Sequence, residues 1–185
     1  MRNLSVQIVL YFLVTSGYAC SCKNIVGFYR GVKVADKVVL GKVLRREFLF
    51  DDGKKVKDID AVKKYYDQNK GKVFFYVEVV TIEIVENLKG PIQGQVKIIE
   101  LYGGNFDSCW GSLEFLEIDK FYVLSMQDYF YPFQGENGGD RWGYELGTCY
   151  HSSLVYNNEK REVTGILRKE KVKTIPYSRL KKIII

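Results

Sequence analysis

A single histidine, His151, stands in the whole chain of 185 residues. One imidazole cannot build a zinc site or complete a nucleophilic triad, so it reads as a surface or packing residue. No glycine-rich phosphate-binding loop occurs, and no C-x-x-C pair sits in a thioredoxin-like setting. The acidic residues Asp51-Asp52 and Asp58-Ile59-Asp60 read as turns, not as a paired acid and base. These absences argue against an enzyme, and against a cofactor of the chain's own. Internal repeats and low-complexity linkers are missing too, which leaves one domain. Past residue 19 no apolar stretch is long enough to span a bilayer. No compact Lys/Arg run interleaved with aromatics marks a nucleic-acid surface.

What is present begins with a leader. Arg2, the apolar run Ile8 to Val14 and Gly17-Tyr18-Ala19 have the layout of a secretory signal peptide over residues 1–19. Cleavage after Ala19 would make Cys20 the first residue of a secreted chain, extracellular or periplasmic, over 20–185. A lipidated cysteine at this place would ordinarily follow a leucine three residues earlier, and Gly17 stands there instead. All four cysteines, Cys20, Cys22, Cys109 and Cys149, lie in the exported part. An even count in an oxidising compartment implies two disulfides, with three pairings open. Cys20 and Cys22 are too close to pair comfortably, so each reaches for a distant partner.

The chain carries a net charge of +6, 14 Tyr and 11 Phe. The mild positive excess suits acidic surfaces, anionic glycans or phospholipid headgroups. The aromatic and β-branched load favours strands. Strands are expected over 38–50, 72–86, 95–102, 120–127 and 142–146, with turns at 51–53 and 88–91. Residues 24–31 read as a connector of one or two helical turns. A small amphipathic helix is expected over 57–68, with Ile59, Val62 and Tyr66 on one face. In the second strand the apolar residues change parity between Val79 and Val80, and in the third between Ile98 and Ile99. A bulge near Val79-Val80 would produce this and would coil the strand. Residues 149–168 read as partly helical, 135–141 as a polar loop, and the stretch 174–185 alternates poorly. Long coiled strands without βαβ alternation predict a mainly β protein: a five-stranded antiparallel barrel of the oligonucleotide/oligosaccharide-binding (OB) kind with short flanking helices. A β-sandwich is the other candidate.

Several segments together carry a resemblance. Cys20-Ser21-Cys22 follows the leader, and Ala35-Asp36-Lys37-Val38-Val39-Leu40-Gly41-Lys42-Val43 opens the first strand. Glu86-Asn87-Leu88-Lys89-Gly90 closes the second, Ser108-Cys109 follows the third, Lys120-Phe121-Tyr122-Val123-Leu124 forms the fourth and Thr148-Cys149 follows the fifth. Over residues 20–168 this resembles the netrin-like domain, and within it the amino-terminal domain of the tissue inhibitors of metalloproteinases. The resemblance implies a five-stranded barrel and the disulfides Cys20–Cys109 and Cys22–Cys149.

It also implies a mechanism. The Cys20 α-amine nitrogen and carbonyl oxygen would chelate the zinc of a target metalloproteinase, and Ser21 would point into the pocket beyond the cleaved bond. Ser108 and Cys109 would widen the contact ridge beside Cys20, Ser21 and Cys22. Two features depart from the vertebrate inhibitors: a third disulfide and a cysteine-rich second domain are both missing. The insertion at 51–70 would replace a hairpin that touches the protease in some relatives. A second expectation keeps the fold and drops inhibition: a secreted, monomeric interaction module for extracellular protein or acidic glycan.

Overall fold

The computed structural model describes residues 27–72, 75–92, 97–104, 112–131, 141–147, 151–168 and 171–185, with the backbone alone at 129–131 and 141–142. In chain order the elements are α1 (Phe28–Val34), β1 (Lys37–Phe50), β2 (Lys55–Val56), α2 (Ile59–Gln68), β3 (Tyr76–Lys89), β4 (Ile98–Gly103), β5 (Phe121–Tyr131), β6 (Arg141–Leu146), β7 (Ser153–Asn157), β8 (Glu162–Ile166), β9 (Val172–Pro176) and α3 (Tyr177–Ile184). The protein is mainly β, as its composition led one to expect. No helix among the described residues is long and apolar enough to cross a membrane.

Five strands close on themselves: β1 pairs β3, β3 pairs β4, β4 pairs β6, β6 pairs β5, and β5 returns to β1. Within this ring β5-β1-β3-β4 run in Greek-key order, the fourth strand lying beside the first. β2 extends the edge of β1, while β7, β8 and β9 continue outward from β5. One contact departs from the expected antiparallel pattern. β4 and β6 run parallel, with Leu101 opposite Tyr144 and Tyr102 opposite Glu145.

β1 does the closing because it changes partner along its length. Its first half, Lys37 to Lys42, pairs β5, and its far end pairs β2. Between them the β1–β3 register slips by one residue at Leu44. Two further slips leave Val85 and Leu88 of β3 without an opposite number. Each extra residue bends the pair and increases its coil. Bulges therefore exist, but not at Val79-Val80, where the ladder runs unbroken against both Arg46-Glu47 and Leu101-Tyr102. The parity change there has another cause: both faces of β3 are covered, and every residue from Val77 to Ile82 is buried. Val80 and Ile82 join one apolar cluster, Val77 and Val79 another.

The larger clusters sit on opposite faces of β1. Val39 and Val43 pack with Val80, Ile82, Ile99, Leu101, Leu124 and Tyr144, a cluster to which all five ring strands contribute. Val38 and Leu40 pack the other way, against Phe28 of α1, Val123, Leu154, Val163 and Leu180 of α3. An unbroken Val-Val-Leu run is what a strand covered on both faces requires.

Three local expectations are corrected. Residues 153–166 form a hairpin, not a partial helix. Leu154 and Tyr156 are buried while Val155 between them is half exposed, and this period of two decides the backbone. Asn157 accepts from the Lys160 amide, and Arg161 takes a positive φ of 54° to close the turn. In α2, capped by Asp58, Val62 is buried but Ile59 and Tyr66 face solvent. The helix rests instead on Val62 and Tyr65, against Phe50. The tail is not irregular: α3 places Tyr177, Leu180 and Ile184 on the α1 side of the ring. The 51–53 turn forms as expected, with Gly53 at a φ of 87°.

Candidate functional site

The segments that carry the resemblance lock together where β1 begins and β3 ends. Lys37, almost fully buried, reaches both carboxylate oxygens of Asp128 on β5 at 2.5 and 2.6 Å. The Asp128 amide in turn donates to Asp36 at 3.2 Å. Lys89 donates to the carbonyls of Val32 and Ala35 at 2.8 and 2.7 Å, satisfying the open end of α1. Gly90 follows with a positive φ of 74°. A Cβ there would stand 2.1 Å from the Asp36 carbonyl oxygen, so only glycine fits. Asn87 closes the turn by donating to the Gly90 carbonyl at 2.7 Å.

The expected contact residues Cys20, Ser21, Cys22, Ser108 and Cys109, like Cys149, lie outside the described residues. Described residues flank each of these segments. The segment with Ser108 and Cys109 leaves β4 at Gly103, which stands opposite Glu78. It returns at Leu113, whose amide donates to the Glu78 carboxylate at 2.7 Å. The returning end of this connection is therefore tied to a buried side chain. Arg46 pairs with that carboxylate at 3.0 Å. Its Nη2 also donates to the carbonyls of Leu113, Glu114 and Leu116 at 2.8–2.9 Å. Burial pushes the Glu78 carboxyl above its ordinary range, and the Leu113 amide and Arg46 oppose the rise.

The chain beyond Leu116 is pinned as well. The Tyr122 hydroxyl donates to the Phe115 carbonyl and accepts from the Glu117 amide, both at 3.0 Å. Phe115 and Ile118 are left exposed on this braced segment. On either side of Cys149, Leu146 joins the same cluster as Leu113, and the Ser152 carbonyl accepts from the Ser125 amide at 2.8 Å. The Ser152 hydroxyl donates to the Gly147 carbonyl at 3.2 Å. The flank of Cys20-Ser21-Cys22 behaves differently. Phe28 belongs to the cluster on the opposite face of β1, and the Tyr29 amide donates to the Leu167 carbonyl at 3.2 Å.

Arg46 and Glu78 had no place in the sequence reading. A signal existed for one of them: a glutamate amid the valines of Val77-Glu78-Val79-Val80. Such charges are buried only when paired. His151 is half-buried beside Ser152. Among the described residues no group of His, Cys, Asp and Glu side chains could hold a metal ion. No protein-family model, no curated protein and no solved structure matches this chain.

Proposed function

We propose that this chain is a secreted netrin-like barrel of the OB kind that inhibits a zinc metalloproteinase as a monomer. The observation that carries the reading is Cys20-Ser21-Cys22 directly after a cleavable leader. A mature chain starting there offers an α-amine and a carbonyl on its first residue. The amine has a pKa of roughly 7.7–8.0 and gives up its proton to a metal near neutral pH. Catalytic zinc keeps an open position for water. The Cys20 nitrogen and carbonyl oxygen would fill that position and displace the nucleophile. Ser21 enters the neighbouring specificity pocket, and Ser108 and Cys109 lie alongside.

The five-stranded ring in Greek-key order, with α1 and α3 against it, supports the barrel. The interlocked motif segments support the family. The Arg46–Glu78 bracket supports a preformed ridge, because it holds the Leu113–Leu116 segment that follows the Ser108–Cys109 connection and so lowers the ordering cost of binding there. Disulfides Cys20–Cys109 and Cys22–Cys149 complete the wedge in this reading.

The test is one residue long. Secreted protein beginning at Cys20 and a form with one alanine ahead of it are titrated against zinc endopeptidases with a quenched fluorogenic peptide. The native form inhibits, and the extended form weakens by at least about a hundredfold, equivalent to roughly 2.8 kcal/mol. Equal inhibition by both forms rules out chelation, and no inhibition by the native form rules out the function.

A further inference from the structure

Among the described residues, buried or half-buried cations are spent on partners: Lys37 on Asp128, Lys55 on Glu100, Arg46 on Glu78, Lys181 on Glu86. Arg30, Lys33 and Arg168, like several other exposed cations, make no ion pair and no side-chain hydrogen bond among the described residues, but these three line one cavity of about 550 Å³ between α1 and the end of β8. That volume lies within the roughly 300–1,000 Å³ typical of small-ligand sites.

The walls are stiff. The Tyr29 amide is bonded to the Leu167 carbonyl, and Leu167 is buried in the cluster that holds α1. A Cβ on Gly27 would come within 2.5 Å of the same carbonyl, so the two segments touch backbone to backbone. Arg30 and Lys33 are one helical turn apart and share a face of α1. The Arg168 guanidinium sits 5.1 Å from the centre of the Tyr29 ring. This cation–π contact holds the guanidinium beside the ring, and a guanidinium can grip an oxyanion with two parallel hydrogen bonds.

We infer that this cavity binds a sulfated sugar chain, taking one sulfate between Arg30, Lys33 and Arg168. The occupant follows from what the cavity offers and lacks. Among the described lining residues the one aromatic ring, Tyr29, has Arg168 over it, which leaves a poor stacking platform for the bases of a nucleic acid. Its cations surround a hollow, which accepts a projecting anion better than the flat plane of a membrane surface. Val34, 53% exposed at the rim, gives the apolar face of a sugar ring something to lie against. The site does not involve Cys20 zinc chelation and stands whether or not the protein inhibits a protease.

The test is calorimetric titration of the full secreted chain with a heparin tetrasaccharide at low salt. Saturable binding is expected, weakening as salt rises. Arg168→Gln and Arg30→Gln should each weaken it about tenfold, as loss of a charge-assisted contact does. The charge-matched Lys182→Gln, on the exposed side of α3, should leave affinity within about twofold. Circular dichroism melts of each variant check the fold, and Lys33→Gln gives a second reading should either arginine variant melt early. The inference is overturned if Lys182→Gln weakens binding as much as the cavity variants do. It is equally overturned if the desulfated tetrasaccharide binds as well, if single-stranded DNA or phosphatidylserine vesicles bind more tightly, or if no saturable binding occurs.

Discussion

Replacing Arg46 with methionine isolates the bracket that holds the Leu113–Leu116 segment. The Glu78 side chain it would strand is only 5% exposed, and that of Arg46 itself 25%. Breaking a buried pair by removing one member costs about 3–5 kcal/mol, because the remaining charge keeps its desolvation penalty. Three carbonyls lose a donor as well, although that of Glu114 is exposed and finds water. Protonation limits the loss. Burial already pushes Glu78 upward, and without Arg46 it rises further. A net cost of about 3 kcal/mol follows, or a fall in Tm of about 6–12 °C for a chain of this size. A carboxyl whose folded pKa lies above its unfolded value favours folding in acid and disfavours it as pH rises through the folded pKa. The Arg46→Met penalty should therefore shrink between about pH 7 and pH 5. Adding Glu78→Gln removes the stranded charge yet keeps an acceptor for the Leu113 amide, and should return at least about 1 kcal/mol. Urea unfolding gives the energies, and hydrogen exchange at the Leu113 and Leu116 amides reports the segment itself. A loss below about 1 kcal/mol, or no recovery with Glu78→Gln, would show that the bracket does not hold this end of the molecule.

Gly41→Ala should destabilise by about 1–3 kcal/mol, since the new Cβ would lie 2.3 Å from the Ile82 γ2 methyl in the ring cluster. In an Ile82→Ala background the increment should fall by more than half, and an unchanged increment in denaturant titration would mean that crowding is not the cause. Glu86 accepts from Lys181 at 2.6 Å and from the Tyr177 hydroxyl at 2.9 Å, which ties α3 to β3. Burial raises its pKa, but the two donors more than offset this and hold it below the ordinary carboxylate range. A depressed carboxylate contributes stability above its unfolded pKa, here 4.5, and loses it as pH falls through the folded value. Melting curves should accordingly converge for the native protein and Glu86→Gln as pH drops from about 6 to about 3; parallel curves would dissociate Glu86 from the acid sensitivity.

The sequence shows where strands lie more readily than how they join. Alternation and β-branched density locate β1, β3, β4, β5 and β6 because each ring strand has at least one covered face. The same rule misleads at Val77 to Ile82. Two covered faces erase the alternation, and a continuous run mimics a bulged strand. Residues 153–166 were obscured by Asn157-Asn158 and Gly165, which weaken a helix but suit a hairpin turn and a close packing site. A Cβ on Gly165 would meet Leu154 at 2.7 Å. The tail hid α3 because its apolar face is narrow: Tyr177, Leu180 and Ile184 among lysines, with Ile183 and Ile185 exposed.

The same reasoning separates the two candidate sites. Chemistry concentrated on one residue, as at Cys20, is legible from spacing, because cleavage position and cysteine count are properties of the string. The cavity of Arg30, Lys33 and Arg168 is not. Arg168 stands far from Arg30 and Lys33 in the chain, and each of the three reads alone as an ordinary solvated charge. They acquire meaning only because β7 and β8 fold back from β5, bringing Leu167 against Gly27 and Tyr29. That return lies in the stretch where the sequence suggested helix. Reading strand there places Arg168 over Tyr29, so the correction to the fold and the anion site rest on the same hairpin. A substitution that unzips β8 from β7, such as Val163→Asp in the buried cluster, would therefore abolish sulfated-sugar binding without touching any cation.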